Sequence, residues 1–408
     1  MLDRWSQESF GNKLNKPYAH IMFGARQTGK STLIKNLLPE DATIFDLSEP
    51  AARASFSARP GDFVKICKAI PRGKSPHYVF IDEVQAVPAL FDAVQHLYDS
   101  DKNRFRFVLC GSSARKLRLT GANLLPGRSF LHHLYPLVMN EQPYADARSS
   151  SILLKLPGNK LSNPFPSWSL IERLTYGSLP GIVTAGIEDR GDLLKSYAVI
   201  YLEEEIRREA LVKDWGAFLR FLQMAAAESG KIVNFAAISK ETGISQPTVK
   251  SYYQLLEDIY VGFRVQAFTQ SQRKNLLSTP RFLFFDLGVR HAAAGLTPSA
   301  DTVKADPGAI FEQWVGIELW KRLQYIGGKL MYQRTKDGSE IDYIVDAEGS
   351  LIPMEVKWTE KPSMQDARHL LTFVEENRKC CSQGYIICRC EHLMKLHDRI
   401  TAVPWFMI

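Results

Sequence analysis

Gly24-Ala25-Arg26-Gln27-Thr28-Gly29-Lys30-Ser31 fits the pattern G-x-x-x-x-G-K-[ST], directly after the apolar run Ile21-Met22-Phe23 and before Thr32. A strand that feeds such a loop and then a helix turns backbone N–H groups into a phosphate cradle. Gly24 and Gly29 allow the tight turn and the close approach of phosphate oxygens. Lys30 is placed for the β- and γ-phosphates and the Ser31 hydroxyl for Mg²⁺. The expected cofactors are ATP and Mg²⁺, with residues 24–32 as the binding segment.

Tyr78-Val-Phe-Ile-Asp82-Glu83 is an apolar strand ending in two carboxylates. Asp82 is the candidate Mg²⁺ ligand and Glu83 the candidate base for the attacking water, which points to hydrolysis rather than binding alone. The next apolar run, Phe105–Cys110, leads into Gly111-Ser112-Ser113. Ser112 is the first candidate for a polar group that senses the γ-phosphate and Ser113 the second; a serine capping the following helix is the competing reading. An arginine that stabilises transferring phosphate is sought among Arg115, Arg118 and Arg128, with Arg128 preferred and Arg26 as a candidate acting from within the loop.

A second constellation lies near the C-terminus. Glu340-Ile-Asp342-Tyr-Ile-Val345 and Ile352-Pro-Met-Glu355-Val-Lys357 read as two strands of a hairpin turned at Gly349. In a period-two strand Glu355 and Lys357 share a face, and Asp342 converges on them as D…E-x-K. Two carboxylates are a second candidate Mg²⁺ site, the lysine can offset charge on a scissile phosphate, and Glu312 on an upstream helix is a candidate fourth member. The alternative is a set of carboxylates salt-bridged on a sheet. The order of elements resembles the restriction-endonuclease-like PD-(D/E)xK fold.

Between these sites, Asn234–Leu256 reads as helix-turn-helix. Ile238 and Val249 pack the helices, Gly243 makes the turn, Ser245 caps the second helix, and Pro247 is tolerated in its first turn. Ile259–Ala267 and Arg281–Phe285 are the expected wing strands. Within 231–281, seven Lys and Arg (231, 240, 250, 264, 273, 274, 281) stand against three acids (241, 257, 258). That excess suits phosphate contacts through Gln246, Thr248, Lys250 and Ser251, although a winged helix also serves as a protein-packing module.

The elements that must hold these groups follow from the apolar pattern. Strands are expected at Ala19–Phe23, Thr43–Leu47, Tyr78–Asp82, Phe105–Cys110 and Ser129–Leu134, with helices after Lys30, at Asp62–Ala69 and at Ala89–Tyr98, the rhythm of a parallel sheet. The chain reads as α/β: a P-loop NTPase parallel sheet over 1–144, an insertion and helical segment over 145–229, a winged helix over 230–300, and a PD-(D/E)xK-like α/β domain over 301–408. Its 408 residues suffice for several cores, and 45% apolar with 23% charged residues is an ordinary globular composition. No apolar run reaches membrane-spanning length and no secretory leader is visible, so the expected location is the cytoplasm, without a membrane partner. The net charge of +7 favours a polyanionic partner, and DNA is the expected one. Cys380, Cys381, Cys388 and Cys390, with His392 and His397, follow no C-x₂-C spacing, which favours buried thiols over zinc.

The motifs together resemble a prokaryotic family of AAA-type ATPases whose C-terminal half has no assigned function. The resemblance rests on Gly24–Ser31, Phe80-Ile-Asp-Glu-Val-Gln85, Cys110-Gly-Ser-Ser-Ala114 and Leu124-Leu-Pro-Gly-Arg128. It continues through Tyr176-Gly-Ser-Leu-Pro-Gly181, Phe285-Asp-Leu-Gly288 and Gly338-Ser-Glu-Ile-Asp342 with Glu355-Val-Lys357. It implies ATP binding, an AAA-like P-loop domain, a winged helix and an endonuclease-like C-terminal domain. Unlike standard AAA+ enzymes, the chain has no recognisable lid with a sensor arginine and no aromatic pore loop, which argues against a threading hexamer; a homo-oligomer of another kind is compatible.

Overall fold

The computed structural model describes residues 2–113, 125–144, 153–154, 161–202, 206, 212, 214–269, 279–334 and 340–408, in two compact units. The first covers Met1–Tyr135 with Asp258–Tyr260. Its strands are β1 (Ala19–Phe23), β2 (Thr43–Asp46), β3 (His77–Asp82), β4 (Phe105–Gly111) and β5 (Ser129–His133). They form one parallel sheet in the order β2-β3-β4-β1-β5. Every residue of β1 and β4 is buried, because helices cover both faces of a parallel sheet. On one face, Phe45, Phe63, Leu90, Phe91, Val94 and Phe107 form the main core; on the other, Phe10, Ile34, Phe80 and Val108 pack with Leu134. The expected strands and helices are present to within a residue or two, and the helices Gln7–Leu14 and Pro50–Ala58 are additions.

The second unit covers Pro136–Glu257 and Val261–Ile408. It begins with short helices (Leu170–Tyr176, Pro180–Thr184, Arg190–Ser196) and the longer Trp215–Ala227, then the helix pair Phe235–Thr242 and Gln246–Asp258. Its strands are β6 (Gly262–Ala267), β7 (Arg281–Phe284), β8 (Lys329–Arg334), β9 (Glu340–Ala347), β10 (Ser350–Val356), β11 (Gly384–Cys388), β12 (Met394–His397) and β13 (Ile400–Pro404). They make one sheet, ordered β12-β13-β11-β10-β9-β8-β6-β7. The hairpin β6–β7, expected as a wing, joins the carboxylate hairpin β9–β10 through the parallel pair β6–β8, so the sheet runs across residue 300 without a break. The helix Pro307–Ile326 packs in the core on one side, where Phe311, Val315 and Leu319 meet Tyr343, Val345 and Met354. The helix Arg368–Glu376 contributes Leu370 and Phe373 to a second core, with Ile344 and Ile386. Cys381, Cys388 and Cys390 are buried in that second core and all six cysteines are free thiols. Among the described residues no group of three or more His, Cys, Asp and Glu is arranged to hold a metal ion, and no helix is long and apolar enough to cross a membrane.

In the first unit His20 on β1 meets His132 on β5, Nδ1 to Nε2 at 3.2 Å. Burial lowers His20 to about 4 and His132 to about 3. The unfolded chain protonates both near 6.5, so the folded state binds fewer protons below that value. The contribution of this pair to stability is therefore full above about pH 6.5 and falls as pH drops toward 4, by at most about 1.4 kcal/mol per pH unit for each ring. Urea unfolding at pH 7, 5.5 and 4.5 checks this, and His132→Leu should flatten the decline; an unchanged slope in that variant contradicts it.

Candidate functional site

The loop Gly24–Ser31 leaves β1 and enters the helix Lys30–Leu37. Gly24 has φ +155°, and a Cβ there would lie 2.2 Å from the carbonyl oxygen of Leu134. Gly29 has φ +88°, the left-handed region, at the helix N-cap. Both glycines are thus required by the backbone itself. Thr28 Oγ1 donates to the Ala25 carbonyl at 2.9 Å, and Lys30 Nζ donates to the carbonyls of Gly24 (2.9 Å) and Ala25 (2.8 Å). The lysine charge is therefore held, buried, over the loop. Arg4, which no local motif flags, donates to the carbonyls of Thr28 and of Tyr135 and so braces the loop from outside.

Ser31 Oγ lies 3.0 Å from Asp82 Oδ1 at the C-terminal end of β3, and the Glu83 amide donates to the same oxygen at 3.1 Å. These hydroxyl and carboxylate oxygens are the hard donors Mg²⁺ prefers, so the residues fit that ion. Glu83 adopts φ +53°, unusual for a non-glycine residue, which turns its side chain out of the strand direction. Gln85 Nε2 donates to Glu83 Oε2 and to Ser112 Oγ, the latter at 2.9 Å. Gln85 thereby joins the end of β3 to the end of β4, and Gly111 leaves room for it: a Cβ there would be 2.4 Å from Gln85 Oε1. Sequence reasoning assigned Gln85 no role; its position two residues beyond Glu83 was the available signal.

Ser31, Asp82, Glu83 and Ser112 are therefore one connected set beside the loop, and Ser113 is buried next to it. Arg26 is half-buried and Thr32 exposed. Arg128 is not brought to the loop. It precedes β5 at the N-terminal end of the strands, its carbonyl accepts from the Ala19 amide, and its Nε pairs with Asp99 Oδ1 at 2.7 Å. Arg115 and Arg118 lie outside the described residues, as does Gly338.

In the second unit Asp342, Glu355 and Lys357 converge. Asp342 Oδ2 accepts from the Val356 amide at 2.8 Å, and Lys357 Nζ donates to Glu355 Oε2 at 2.8 Å. Glu355 Oε1 is buried with no partner. Burial first, and the Asp342 carboxylate second, push Glu355 and Glu312 well above the usual carboxylate range. Burial would lower Lys357, yet Glu355 and Asp342 outweigh it and hold its pKa above the ordinary value. Glu312 is engaged by Arg281 of β7 at 2.7 Å, and Arg281 also pairs with Glu340. Arg281, counted in sequence among the bases of a wing, thus belongs to this carboxylate cluster.

The helix pair Phe235–Thr242 and Gln246–Asp258 turns at Gly243, φ +73°, and Ser245 Oγ accepts from the Thr248 amide at 3.4 Å. Ile238 and Val249 are buried, whereas Gln246, Lys250 and Ser251 are exposed and Thr248 is half-buried. The basic excess is smaller than the count implied. Arg264 pairs with Glu257 at 2.8 Å, Lys231 with Glu228 at 2.9 Å, Arg281 is buried, and Arg273 and Lys274 are outside the described residues.

The five-stranded parallel sheet, its glycine loop and the acids at the end of β3 define a P-loop NTPase-like core. Residues 16–142 match the AAA domain, which supports a P-loop AAA-type ATPase family, a class that binds and hydrolyses nucleotides. Residues 167–300 and 307–408 match two domains of unknown function, DUF8612 and DUF4143. An uncharacterized protein of Mycobacterium tuberculosis is 23% identical over 388 residues, 94% of this chain and 79% of that relative. One of Haemophilus influenzae is 23% identical over 387 residues, 90% of this chain and 89% of its own. The crystal structure of protein VC1899 from Vibrio cholerae aligns over 95% of both chains at 10% identity, with a TM-score of 0.19, too low to bear on the fold.

Proposed function

We propose that this protein hydrolyses ATP with Mg²⁺ at the loop Gly24–Ser31 and engages DNA through its C-terminal half. The observation that carries the first part is the Ser31–Asp82 contact beside the loop, with Glu83 on the adjoining residue. Backbone amides of residues 24–32 and Lys30 would hold the phosphates, and Ser31 with Asp82 would hold Mg²⁺. The ion, when bound, neutralises charge on the β- and γ-phosphates. Glu83 orients the attacking water and takes its proton; Gln85 fixes the Glu83 carboxylate and Ser112 relative to one another. Arg128, paired with Asp99 in its own chain, would serve as a finger only toward a second copy in an oligomer.

DNA engagement rests on the Gly243 turn and on the exposed Gln246, Lys250 and Ser251 of the second helix, a winged-helix reading. Steady-state ATPase assays with and without DNA, and DNA titrations with ATP, ADP and no nucleotide across a salt series, test both parts. ATP turnover indifferent to DNA, together with no DNA binding in any nucleotide state, rejects the DNA half.

A second reading is supported by the orphaned Glu355 Oε1 beside Asp342: an ATP-regulated endonuclease of PD-(D/E)xK type. Asp342 and Glu355 would hold a divalent ion and Lys357 would stabilise charge on the phosphate under attack. If so, Asp342→Ala should lower Mg²⁺-dependent plasmid nicking by at least ~10²-fold, since it removes a metal ligand. Equal nicking by the variant leaves an inert fold and a nucleotide-switched DNA-binding or scaffold protein.

A further inference from the structure

β3 and β4 are neighbouring parallel strands that begin together, His77 opposite Phe105. Their starts lie at the end of the sheet away from the phosphate loop, which meets the C-terminal ends at Asp82 and Ser112. There the loop 71–76 and the turn 101–104 enclose a cleft of about 490 Å³. Arg72, Lys74, Arg104 and Arg106 line it, with Asp101 as the one carboxylate, and Arg72 already pairs with that acid. Arg104, in the turn before β4, and Arg106, within it, both line the cleft, and the Arg104 guanidinium lies over the ring of buried Phe105, 5.0 Å from its centroid.

Both arginines are held by carbonyl groups rather than by acids. Arg104 Nη2 donates to the carbonyls of Lys68 and Ile70, each at 2.9 Å, and its Nε is buried without a partner. Arg106 Nη1 donates to the carbonyls of Lys102 (3.2 Å) and Phe105 (3.1 Å), and the residue is buried. Among the described residues neither meets a carboxylate. A guanidinium removed from water is costly unless an anion offsets it, and its planar fork suits phosphate. Exposed Lys74 and Arg72 stand at the rim of the same cleft.

We propose that this cleft binds adjacent phosphate groups, supplied by a nucleic-acid backbone or by a free oligophosphate, at a site separate from the phosphate loop. Arg104 and Arg106 are the fixed inner contacts, and Arg72 and Lys74 close on the ligand from the rim.

The test uses the full chain carrying Lys30→Ala, so that the phosphate loop does not contribute. A labelled DNA duplex is titrated by anisotropy and tripolyphosphate by calorimetry, with and without the pair Arg72→Glu and Lys74→Glu. Both positions are exposed, so folding is retained. The expected result is a loss of about tenfold or more in affinity and, for DNA, a salt slope smaller by about 2, one unit per lost phosphate contact. Loss confined to the duplex identifies a nucleic-acid backbone as the source; loss confined to tripolyphosphate identifies a free oligophosphate. The proposal is overturned if neither probe binds or if the reversed pair binds both as before. It is equally overturned if the control pair Lys13→Glu and Lys35→Glu, exposed elsewhere on the same unit, loses as much.

Discussion

Glu83→Gln should reduce ATP turnover by ~10²–10⁴-fold, the range that a positioned general base contributes, while nucleotide affinity stays within about twofold of wild type. The separation follows from the geometry. The candidate phosphate contacts are in residues 24–32, and Lys30 is fixed there by the Gly24 and Ala25 carbonyls rather than by Glu83. The substituted amide keeps the size of the carboxylate, and its oxygen can still accept from Gln85 Nε2. What disappears is the ability to take a proton from water. Steady-state turnover with Mg²⁺-ATP, beside direct nucleotide binding by calorimetry, reads the two effects independently; unchanged turnover with intact binding refutes the assignment. Gln85→Ala makes a sharper companion, because it leaves Glu83 chemically intact but untethered from Ser112. A positioning role predicts a lower kcat, about tenfold, with little change in KM.

The P-loop unit was legible because its signals are local or regular. Strands of a covered parallel sheet must be apolar on both faces, so β1 and β4 show as continuous apolar runs, and the glycine pattern stands within eight residues. Asp82 could be placed with Ser31, 51 residues away, because the end of an apolar strand in such a sheet has a defined position relative to the loop. Arg4 could not, since nothing in its neighbours indicates that its guanidinium braces Thr28 and Tyr135. In the second unit D…E-x-K was legible as strand periodicity, and the helix pair through Gly243. The partner of Glu312 was not: Arg281 reaches it from β7 only because β6 pairs with β8, a long-range register with no local signature. The same limit inflated the basic count, as ion pairs such as Arg264–Glu257 are invisible in a tally of charges.

Glu318→Ala should destabilise the second unit by ~3–5 kcal/mol, the cost of stranding buried charge. Glu318 is 2% exposed and fully engaged: Oε1 accepts from the Met139 amide at 2.9 Å and from Arg322 Nε at 2.8 Å, and Oε2 meets Lys321 Nζ at 3.1 Å. Lys321 in turn donates to the Leu137 carbonyl, and Arg322 to the carbonyls of Leu154 (3.1 Å) and Ile408. One buried carboxylate therefore pairs with two cations, Lys321 and Arg322, that tie the segment after Pro136 to the helix Pro307–Ile326. Removing it leaves both cations desolvated, whereas replacing all three by apolar side chains of similar volume should restore much of the loss. The urea midpoint of each variant measures this, and a midpoint within experimental error of wild type for Glu318→Ala would contradict it. The pH dependence separates this network from the histidines. Burial alone would raise Glu318, but Lys321 and Arg322 outweigh it and hold it at about 2. Its folded value is thus depressed below the unfolded one near 4.3, so its contribution is full above that and disappears as pH falls toward 2. Acid loss that begins near pH 6 belongs to His20 and His132, or to His291, which burial lowers to about 4. Loss below pH 4 includes the Glu318 contribution beside those of Asp46, Asp62, Asp99, Asp101 and Asp398, which hydrogen bonds and nearby cations also hold below the ordinary carboxylate range. The Glu318→Gln chain should therefore show a shallower lower leg while keeping the upper one.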